Sequence, residues 1–512
     1  MSQDTELRRA VSLIVEAGYQ IDKDAFEYFR EALQEVEPDL LIRSVMAEVD
    51  SLPEKPLFVS RELIERKLRE LRPSKRPPTL PAEAGRTSFK PYAKEIESDL
   101  RVLSDPTNKI STEGSLENYM EYFKDRFRRL RKIMNSRMDT RDATTILEAS
   151  KASSNSKVKI ICMVSEKRES KRGIFIQVED LEANTTAFVP SQNREVFQKA
   201  QRLMLDQVIC VCATKGRGNF LVAEDIIFPD VPQKKARVAS IPVYAALISD
   251  LHVGSKMFMK RTFQRFILWL QGRVGDTQLR DIASHIKYLV IAGDIVDGVG
   301  IYPEQMRELE IKDIYGQYEA AARIIQEIPD YIEVATIPGN HDGCRRALPQ
   351  PAISKEYAQP LYESRKIYLL GNPSELSLHG VNLLLCHGRS LDDVISTVPR
   401  MSFQAPDEAM KFLLQCRHLA PGYGLRTLIA SERTDHLVIE NVPDIFQAGH
   451  VHMMSYSNYR GILVVNSGAW QRQTEYQREM GHTPNPGIVP IVNLQTLQVI
   501  PINFVSGSTR IM

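Results

Sequence analysis

The sequence of 512 residues is long enough for roughly three domains, at about 150 residues per domain. Its 66 Lys and Arg residues nearly balance its 65 Asp and Glu residues, so any surface for nucleic acid must be a local patch. Six cysteines without a C-x-x-C pair argue against a disulfide framework. No apolar stretch reaches the roughly 18 residues that cross a membrane, and no signal peptide is recognisable, which predicts a soluble cytoplasmic protein.

Residues 1–71 are predicted to form a small helical N-terminal domain. Apolar side chains recur at helical spacing from residue 7 onward, and a last short helix is expected from Ser60 to Leu71. A docking role and a purely structural role are both compatible with such a domain. Residues 72–113 are rich in proline and poor in aliphatic side chains, which predicts a linker.

Residues 114–238 are predicted to form a basic amphipathic helix followed by an OB-type β-barrel. The apolar face of the helix is expected to comprise Leu116, Tyr119, Met120, Phe123, Phe127, Leu130 and Met134. Its basic residues can form a solvated face or contact a phosphate backbone. Five β-branched segments between residues 157 and 227, with a helix between the third and fourth, indicate the barrel. Its few aromatic residues leave single-strand binding and a structural or docking role both open.

Residues 239–512 alternate apolar strands with helices, which predicts a layered α/β domain. Five short polar motifs follow the ends of its strands, where α/β folds place ligands. The motifs are Ser249-Asp250-Leu251-His252, Gly293-Asp294-Ile295-Val296-Asp297-Gly298, Gly339-Asn340-His341-Asp342, Cys386-His387-Gly388 and Gly449-His450-Val451-His452. Imidazole, carboxylate and amide ligands suit Mn²⁺, Fe²⁺ or Zn²⁺, and they are too many for one tetrahedral ion. Two ions bridged by a carboxylate use them all.

This set of motifs resembles that of the calcineurin-like metallophosphoesterases, a superfamily that includes phosphoprotein phosphatases and repair nucleases. The resemblance implies one ion held by Asp250, His252, Asp294 and His452, and a second held by Asp294, Asn340, His387 and His450. It also implies that His341 contacts the reacting phosphate and helps the leaving oxygen to accept a proton.

Asp297 stands where the double-strand-break repair nucleases carry a histidine, three residues after the implied bridge Asp294. The phosphoprotein phosphatases have an aspartate there that orients the catalytic histidine, followed by an arginine where this sequence has Gly298. We therefore expect Asp297 to orient His341.

The order of helical N-terminus, proline-rich segment, basic helix, barrel and phosphoesterase is similar to that of the small subunits of archaeal family D DNA polymerases. The stretches from Gly293 to Pro303, from Arg389 to Asp393 and from Arg417 to Gly424 resemble that family too. Eukaryotic replicative B-subunits share the order of barrel and phosphoesterase, but they have typically lost the metal ligands that this sequence keeps.

The narrower resemblance implies a 3′→5′ proofreading exodeoxyribonuclease that hydrolyses terminal phosphodiesters with two divalent ions, Mn²⁺ in first place and otherwise Fe²⁺ or Zn²⁺. Implied partners are the large catalytic polymerase subunit, primer–template DNA with a single-stranded 3′ end and, as a further candidate, a sliding clamp. The implied location is the cytoplasm, in association with the nucleoid. Two alternatives stay open: a phosphoprotein phosphatase or cyclic-nucleotide phosphodiesterase, and a scaffold subunit without catalysis.

Overall fold

The computed structural model describes residues 20–21, 25–26, 44–46, 49, 58–71, 89–218, 220–479, 481–505 and 509–512. The chain divides into two compact units, residues 1–88 and 89–512. In the first unit, strands β1 (Gln20–Ile21) and β2 (Phe58–Val59) pair in parallel, and helix α1 spans Arg61–Leu71. The helix predicted around residues 7–15 lies outside the described residues.

The second unit includes a closed barrel of five strands preceded by two helices. In chain order, this part of the unit contains β3 (Leu100–Ser104), the two helices α2 (Leu116–Asn135) and α3 (Ile146–Lys151), the barrel strands β4 (Lys157–Ser170), β5 (Gly173–Glu179) and β6 (Asn184–Pro190), helix α4 (Arg194–Gln201), and the barrel strands β7 (Val208–Lys215) and β8 (Phe220–Ile227). The barrel order is β4-β5-β6-β8-β7, with β4 closing the ring against β7 and with β6 and β8 parallel. Alternating apolar side chains of the five strands fill its interior.

The apolar face predicted for the basic helix α2 is buried in its second half, at Phe127, Leu130 and Met134, but not in its first half. Leu116 and Met120 are exposed, whereas Arg126 is fully buried. Its Nε donates to Asp435 Oδ2 at 2.8 Å and its Nη2 to the hydroxyl of Tyr122 at 2.6 Å. The buried face of the helix therefore also encloses this ion pair, because a buried guanidinium needs a carboxylate and hydrogen-bond acceptors. Arg126 is unavailable to a phosphate backbone.

Two β-sheets face each other in the rest of the unit. Their strands are β9 (Tyr244–Ile248), β10 (Ile286–Ile291), β11 (Glu333–Thr336), β12 (Ile367–Leu369), β13 (Ser374–Leu378), β14 (Val381–Leu385), β15 (Ile445–Ala448), β16 (Ser455–Tyr459), β17 (Ile462–Asn466), β18 (Ile488–Asn493), β19 (Val499–Asn503) and β20 (Arg510–Ile511). The helices are α5 (Lys260–Leu270), α6 (Thr277–Ser284), α7 (Ile314–Gln326), α8 (Lys355–Ser364), α9 (Leu391–Thr397), α10 (Pro406–Cys416) and α11 (Glu475–Glu479).

The seven-stranded sheet has the order β12-β11-β10-β9-β18-β19-β20, and the six-stranded sheet has the order β16-β17-β15-β14-β13-β3. Apolar residues of both sheets, such as Leu247 and Leu385, pack together in one core. Helices α5, α6 and α7 cover the other face of the first sheet, and α9 and α10 cover that of the second. The predicted layered α/β architecture is thus present.

The predicted linker differs from the structure beyond residue 88. Strand β3 lies within the 72–113 stretch, and it pairs antiparallel with β13 at the edge of the six-stranded sheet. Val102 and Leu103 are more than 40% exposed, so the strand is held by its main-chain hydrogen bonds more than by apolar burial. Composition therefore did not reveal it. Among the described residues, no helix is both long and apolar enough to cross a membrane.

Candidate metal centre

The five polar motifs converge on one edge of the facing sheets. They follow β9, β10 and β11, which run in parallel in one sheet, and β14 and β15, which run in parallel in the other. Three groups of side chains could each hold a metal ion, because within each group the potential ligand atoms lie within 4.8 Å of one another. The first group is Asp250, His252 and His452, the second is Asp294, His387 and His450, and the third is His252, Asp294 and His341. Asn340, the one predicted ligand outside these groups, lies beside His387 of the second group. The structure thus brings all the predicted ligands together.

The first group is compact and buried. His252 Nε2 lies 3.0 Å from His452 Nε2, and His452 Nε2 lies 3.4 Å from Asp250 Oδ1. Asp250 Oδ1 is buried and has no hydrogen-bond donor among the residues that the structure describes. Such an orphaned carboxylate oxygen is costly unless a cation or water satisfies it. Two imidazole nitrogens and one free carboxylate oxygen fit one divalent ion.

Asp294 belongs to the second group and lies close to the first. Asp294 Oδ2 lies 3.2 Å from His387 Nε2 and 3.8 Å from His252 Nε2, so this carboxylate stands between the two groups. Asn340 Oδ1 lies 3.0 Å from His387 Nε2. His387 Nδ1 donates to the carbonyl oxygen of Ala292 at 2.8 Å, which leaves its Nε2 free to bind a metal.

The carboxylates and imidazoles of the centre stabilise one another. Burial raises the pKa of Asp294, but attraction to His387 and His341 outweighs it and holds the pKa well below its usual range. Burial lowers the pKa of His387, and Asp294 more than offsets this, to about 9. The carboxylate is therefore ionised, and a metal cation can take the place of the proton that the imidazole holds.

Five of the predicted ligands have a left-handed backbone, with φ between +52° and +68°. They are Asp250, His252, Asp294, His450 and His452. This region is sparsely populated by residues with a Cβ, and such conformations cost about 1–3 kcal/mol each unless the surroundings impose them. Their concentration at the strand ends marks this edge as a functional site.

Glycine is required beside the ligands because the loops approach closely. A Cβ at Gly339 would lie 2.1 Å from Asp294 Oδ1, and one at Gly449 would lie 2.6 Å from Asp250 Oδ2. Any side chain at either position would displace a carboxylate.

The structure shows that Asp297 contacts His341 through its main chain and not through its side chain. Its carboxylate accepts from His252 Nδ1 at 3.0 Å and from Gln471 Nε2 at 2.8 Å, rather than from His341. His341 Nδ1 instead donates to the main-chain carbonyl of Asp297 at 2.7 Å. The backbone conformation at Asp297 directs its carbonyl oxygen toward His341 and its side chain toward His252. Asp297 thus orients a predicted ligand with its side chain and His341 with its backbone.

Several supporting residues carry no recognisable signal in the sequence. Gln305 Nε2 donates to Asp297 Oδ2 at 3.0 Å, and Gln477 Nε2 lies 2.9 Å from His452 Nδ1. Both glutamines, like Gln471, lie outside the motifs, so only the fold brings them to the ligands. They fix the ring or carboxylate orientations of the centre.

A cavity of about 360 Å³ opens over the ligands and is named here the metal cavity. Its wall contains His252, Asp294, Asn340, His341, His450 and His452, together with Tyr302, Arg389, Asp392, Phe403, Arg426 and Tyr476. Burial lowers the pKa of His341 to about 4, and the nearby Asp294 only partly offsets this. The cavity combines a ligand cluster with cationic and aromatic side chains, which suits a phosphate ester of an aromatic alcohol or nucleoside.

A family model for the B subunits of DNA polymerases alpha and epsilon matches residues 245–457. The DNA polymerase II small subunit of Methanothermobacter thermautotrophicus is 41% identical over 407 residues, which are 79% of this chain and 83% of that protein. That of Archaeoglobus fulgidus is 42% identical over 392 residues, 77% of this chain and 78% of that protein. The chain belongs to the family of archaeal DNA polymerase II small subunits. The resemblance drawn from the motifs is confirmed.

Solved structures similar to this chain include two that span about half of it. An archaeal phosphodiesterase is 12% identical with a TM-score of 0.26, and the match covers 53% of this chain and 100% of that protein. A zinc complex of Vps29 from Entamoeba histolytica is 12% identical with a TM-score of 0.28, and the match covers 53% of this chain and 97% of that protein.

Proposed function

We propose that the chain is a 3′→5′ proofreading exodeoxyribonuclease that uses two divalent ions. The convergence of every predicted ligand around Asp294, with a buried and unpartnered oxygen on Asp250, carries this proposal. Membership in a family of DNA polymerase small subunits favours a DNA 3′ end as the substrate over a phosphoprotein or a cyclic nucleotide.

One ion is assigned to Asp250, His252, Asp294 and His452, and the other to Asp294, Asn340, His387 and His450. The nitrogen-rich donor set favours Mn²⁺, with Fe²⁺ or Zn²⁺ as substitutes, over Mg²⁺ or Ca²⁺. When bound, two such ions acidify a water molecule and neutralise charge that develops on the phosphate.

The chain's own groups bind and orient the phosphodiester. Water forms a bond to phosphorus, the bond from phosphorus to the 3′ oxygen of the preceding nucleotide breaks, and the terminal nucleotide leaves as a 5′-monophosphate. His341 faces the reacting phosphate, whose negative charge favours the protonated imidazole, and it aids proton transfer to the departing 3′ oxygen with its ring held by the Asp297 carbonyl. Arg389, which lies 3.3 Å from His450, supplies positive charge at the same phosphate.

The partner we propose is a large catalytic polymerase subunit, since the named relatives are small subunits of a polymerase. The barrel is proposed to be of the OB type. Its strand order, the parallel pairing of β6 with β8 and the position of α4 before β7 support this assignment. Contact of the N-terminal domain with a sliding clamp is a further part of this proposal.

Excision from a primer–template with one 3′ mismatch tests the activity. The purified chain with Mn²⁺ is compared on this DNA, on a phosphopeptide and on a cyclic nucleotide, with a chelator as blank. We expect release of 5′-mononucleotides from the DNA alone. The variant His285→Ala, which changes a histidine outside the motifs, serves as the control and should keep full activity. Preference for the phosphopeptide or the cyclic nucleotide would replace our proposal, and inactivity on all three would favour the scaffold.

Assembly is tested separately with a double variant, His450→Ala with His452→Ala. A stable interface requires about 2,000 Å² or more, which a small metal cavity does not supply. We expect the coexpressed large subunit to copurify at normal stoichiometry and to extend primers, while mismatch excision is lost. Failure to assemble, with the fold intact by circular dichroism, would place the metal centre in the interface.

A further inference from the structure

A second cavity adjoins the metal cavity at His341. It measures about 620 Å³, and its wall includes Val299, Ile301, Arg345, Arg346 and Tyr357. His341 lines both cavities, and among the described residues no other side chain is shared by their two walls. The side chain of His341 therefore stands at the boundary between two spaces.

The second cavity presents positive charge and apolar surface. Arg346 is exposed, its Nη2 donates to the carbonyl of Gly300 at 3.0 Å, and within the described part of the chain no carboxylate pairs with it. Arg345 is bound to Glu432 at 2.8 Å. The acidic side chain in the wall, Asp342, is buried and accepts from the backbone N–H of Gly339 at 2.9 Å, so it faces away from the opening. A single strand of nucleic acid suits this surface, because its phosphates can bind the cationic side chain and the faces of its bases can pack on the apolar ones.

The metal cavity offers a different surface, built for one planar ring. Tyr302 and Tyr476 stack with ring centroids 5.2 Å apart and an interplanar angle of 23°. Tyr302 is fixed by its hydroxyl, which donates to Glu308 at 2.7 Å, and its ring centroid lies 6.2 Å from that of His341. Tyr476 is 45% exposed, so part of its ring can receive a further aromatic group. About 360 Å³ lies near the lower limit of small-ligand sites and suits a single nucleotide.

We propose that a single strand crosses this site with a fixed polarity, an inference that rests on the proposed exonuclease function. The terminal nucleotide enters the metal cavity with its base on Tyr476, and the strand on its 5′ side lies in the second cavity with a phosphate on Arg346. The polarity follows from the sizes of the two spaces. The metal cavity of about 360 Å³ has room for the terminal nucleotide alone, so the strand on its 5′ side continues past His341 into the second cavity of about 620 Å³.

Substrate length tests the upstream half of the track. Excision by the variant Arg346→Gln is measured on a dinucleotide and on a decanucleotide, with Arg273→Gln as the control because Arg273 lies in neither cavity wall. We expect KM for the decanucleotide to rise roughly 3- to 10-fold, with a salt slope smaller by about 0.7, and KM for the dinucleotide to stay constant. An equal defect on both lengths, or none on either, overturns the upstream assignment.

Base removal tests the terminal half. The variants Tyr476→Ala and Tyr476→Phe are compared on strands abasic at the terminal or the penultimate nucleotide, with Tyr456→Ala as a control for an exposed tyrosine elsewhere. Loss of one stacking contact corresponds to a drop in kcat/KM of about 5- to 150-fold for Tyr476→Ala on intact DNA, and the ring-retaining phenylalanine should restore activity. On the terminally abasic strand, wild type and Tyr476→Ala should be equal. Equality on the penultimate abasic strand instead reverses the polarity and refutes the proposal.

A binding measurement separates this inference from the exonuclease proposal. DNA strands with 2-aminopurine at the 3′ end are titrated with the protein in a buffer that contains Ca²⁺ and a chelator selective for transition metals. Quenching of the 2-aminopurine fluorescence reports stacking of the terminal base. Quenching that is lost in Tyr476→Ala supports the track even if the wild type hydrolyses no DNA. Hydrolysis by the wild type with quenching unchanged in Tyr476→Ala refutes the track and leaves the exonuclease proposal intact.

Discussion

Replacing Asp297 by asparagine separates the role that the sequence suggests from the role that the structure assigns. Asparagine keeps the size of the side chain, and its carbonyl oxygen can still accept from His252. Its NH₂ then faces the Nε2 of Gln305, which lies 3.0 Å from Asp297 Oδ2, so two donors oppose each other. Gln305 cannot turn its amide freely, because its Oε1 accepts from the backbone N–H of Ile301 at 2.9 Å.

The expected defect of Asp297→Asn is in metal affinity. Loss of a group that supports a metal ligand typically costs about 10- to 100-fold in affinity, or about 1.4–2.7 kcal/mol. The ring of His341 should keep its position, because it is bound by the main-chain carbonyl of residue 297. We therefore expect the Mn²⁺ concentration for half-maximal activity to rise by that factor, with kcat at saturating Mn²⁺ near that of the wild type.

Calorimetric titration with Mn²⁺, followed by excision assays across Mn²⁺ concentrations, checks this expectation. Asp281→Asn is the matched control, since that carboxylate is exposed and remote from the centre. Unchanged Mn²⁺ affinity with a reduced kcat would refute our reasoning and restore a side-chain role for Asp297 at His341.

Three further predictions concern the bridge, the proton donor and the buried ion pair. Asp294→Ala should abolish excision more completely than loss of any other ligand and should lower the bound metal measured by elemental analysis, and near-wild-type metal content would contradict its bridging position. His341→Ala should leave metal content nearly intact and reduce turnover by roughly 10²–10⁴-fold in single-turnover assays, whereas loss of one metal would make it a ligand. Asp435→Ala leaves the guanidinium of Arg126 buried without a carboxylate, so it should lower the free energy of unfolding by about 3–5 kcal/mol and lower the urea midpoint. The double variant Arg126→Met with Asp435→Leu should recover most of the lost stability. An unchanged midpoint in Asp435→Ala would refute the buried pair.

The strands that carry the ligands were predictable because they are buried on both faces. Parallel strands such as β10, with the sequence IKYLVI, appear as nearly continuous apolar runs, and the polar motifs then follow at once. Edge strands did not give this signal. β16 has the sequence SYSNY and β3 has the sequence LRVLS, so both depend on partners that only the fold supplies.

The candidate site was predictable in its residues but not in its connections. Residue types and spacing singled out the five motifs, and the family resemblance then named the ligands within them. The direction of the Asp297 carbonyl depends on backbone angles that a sequence does not display. The burial of Arg126 is a similar case. A helix with many basic residues is usually solvated on its polar face, and only the distant Asp435 makes enclosure of this one favourable.

Strand β3 also constrains the order in which the protein can fold during synthesis. It leaves the ribosome before the barrel, while its partner β13 is made only after the barrel and most of the seven-stranded sheet. The main-chain hydrogen-bonding groups of β3 therefore stay unpaired until β13 is made, whereas the barrel can fold earlier because its contacts are more local. In the finished protein the barrel is an insertion held at both ends, since the chain belongs to the sheets before it and after it. Cutting the chain between the barrel and the two-sheet region would consequently remove β3 from the six-stranded sheet.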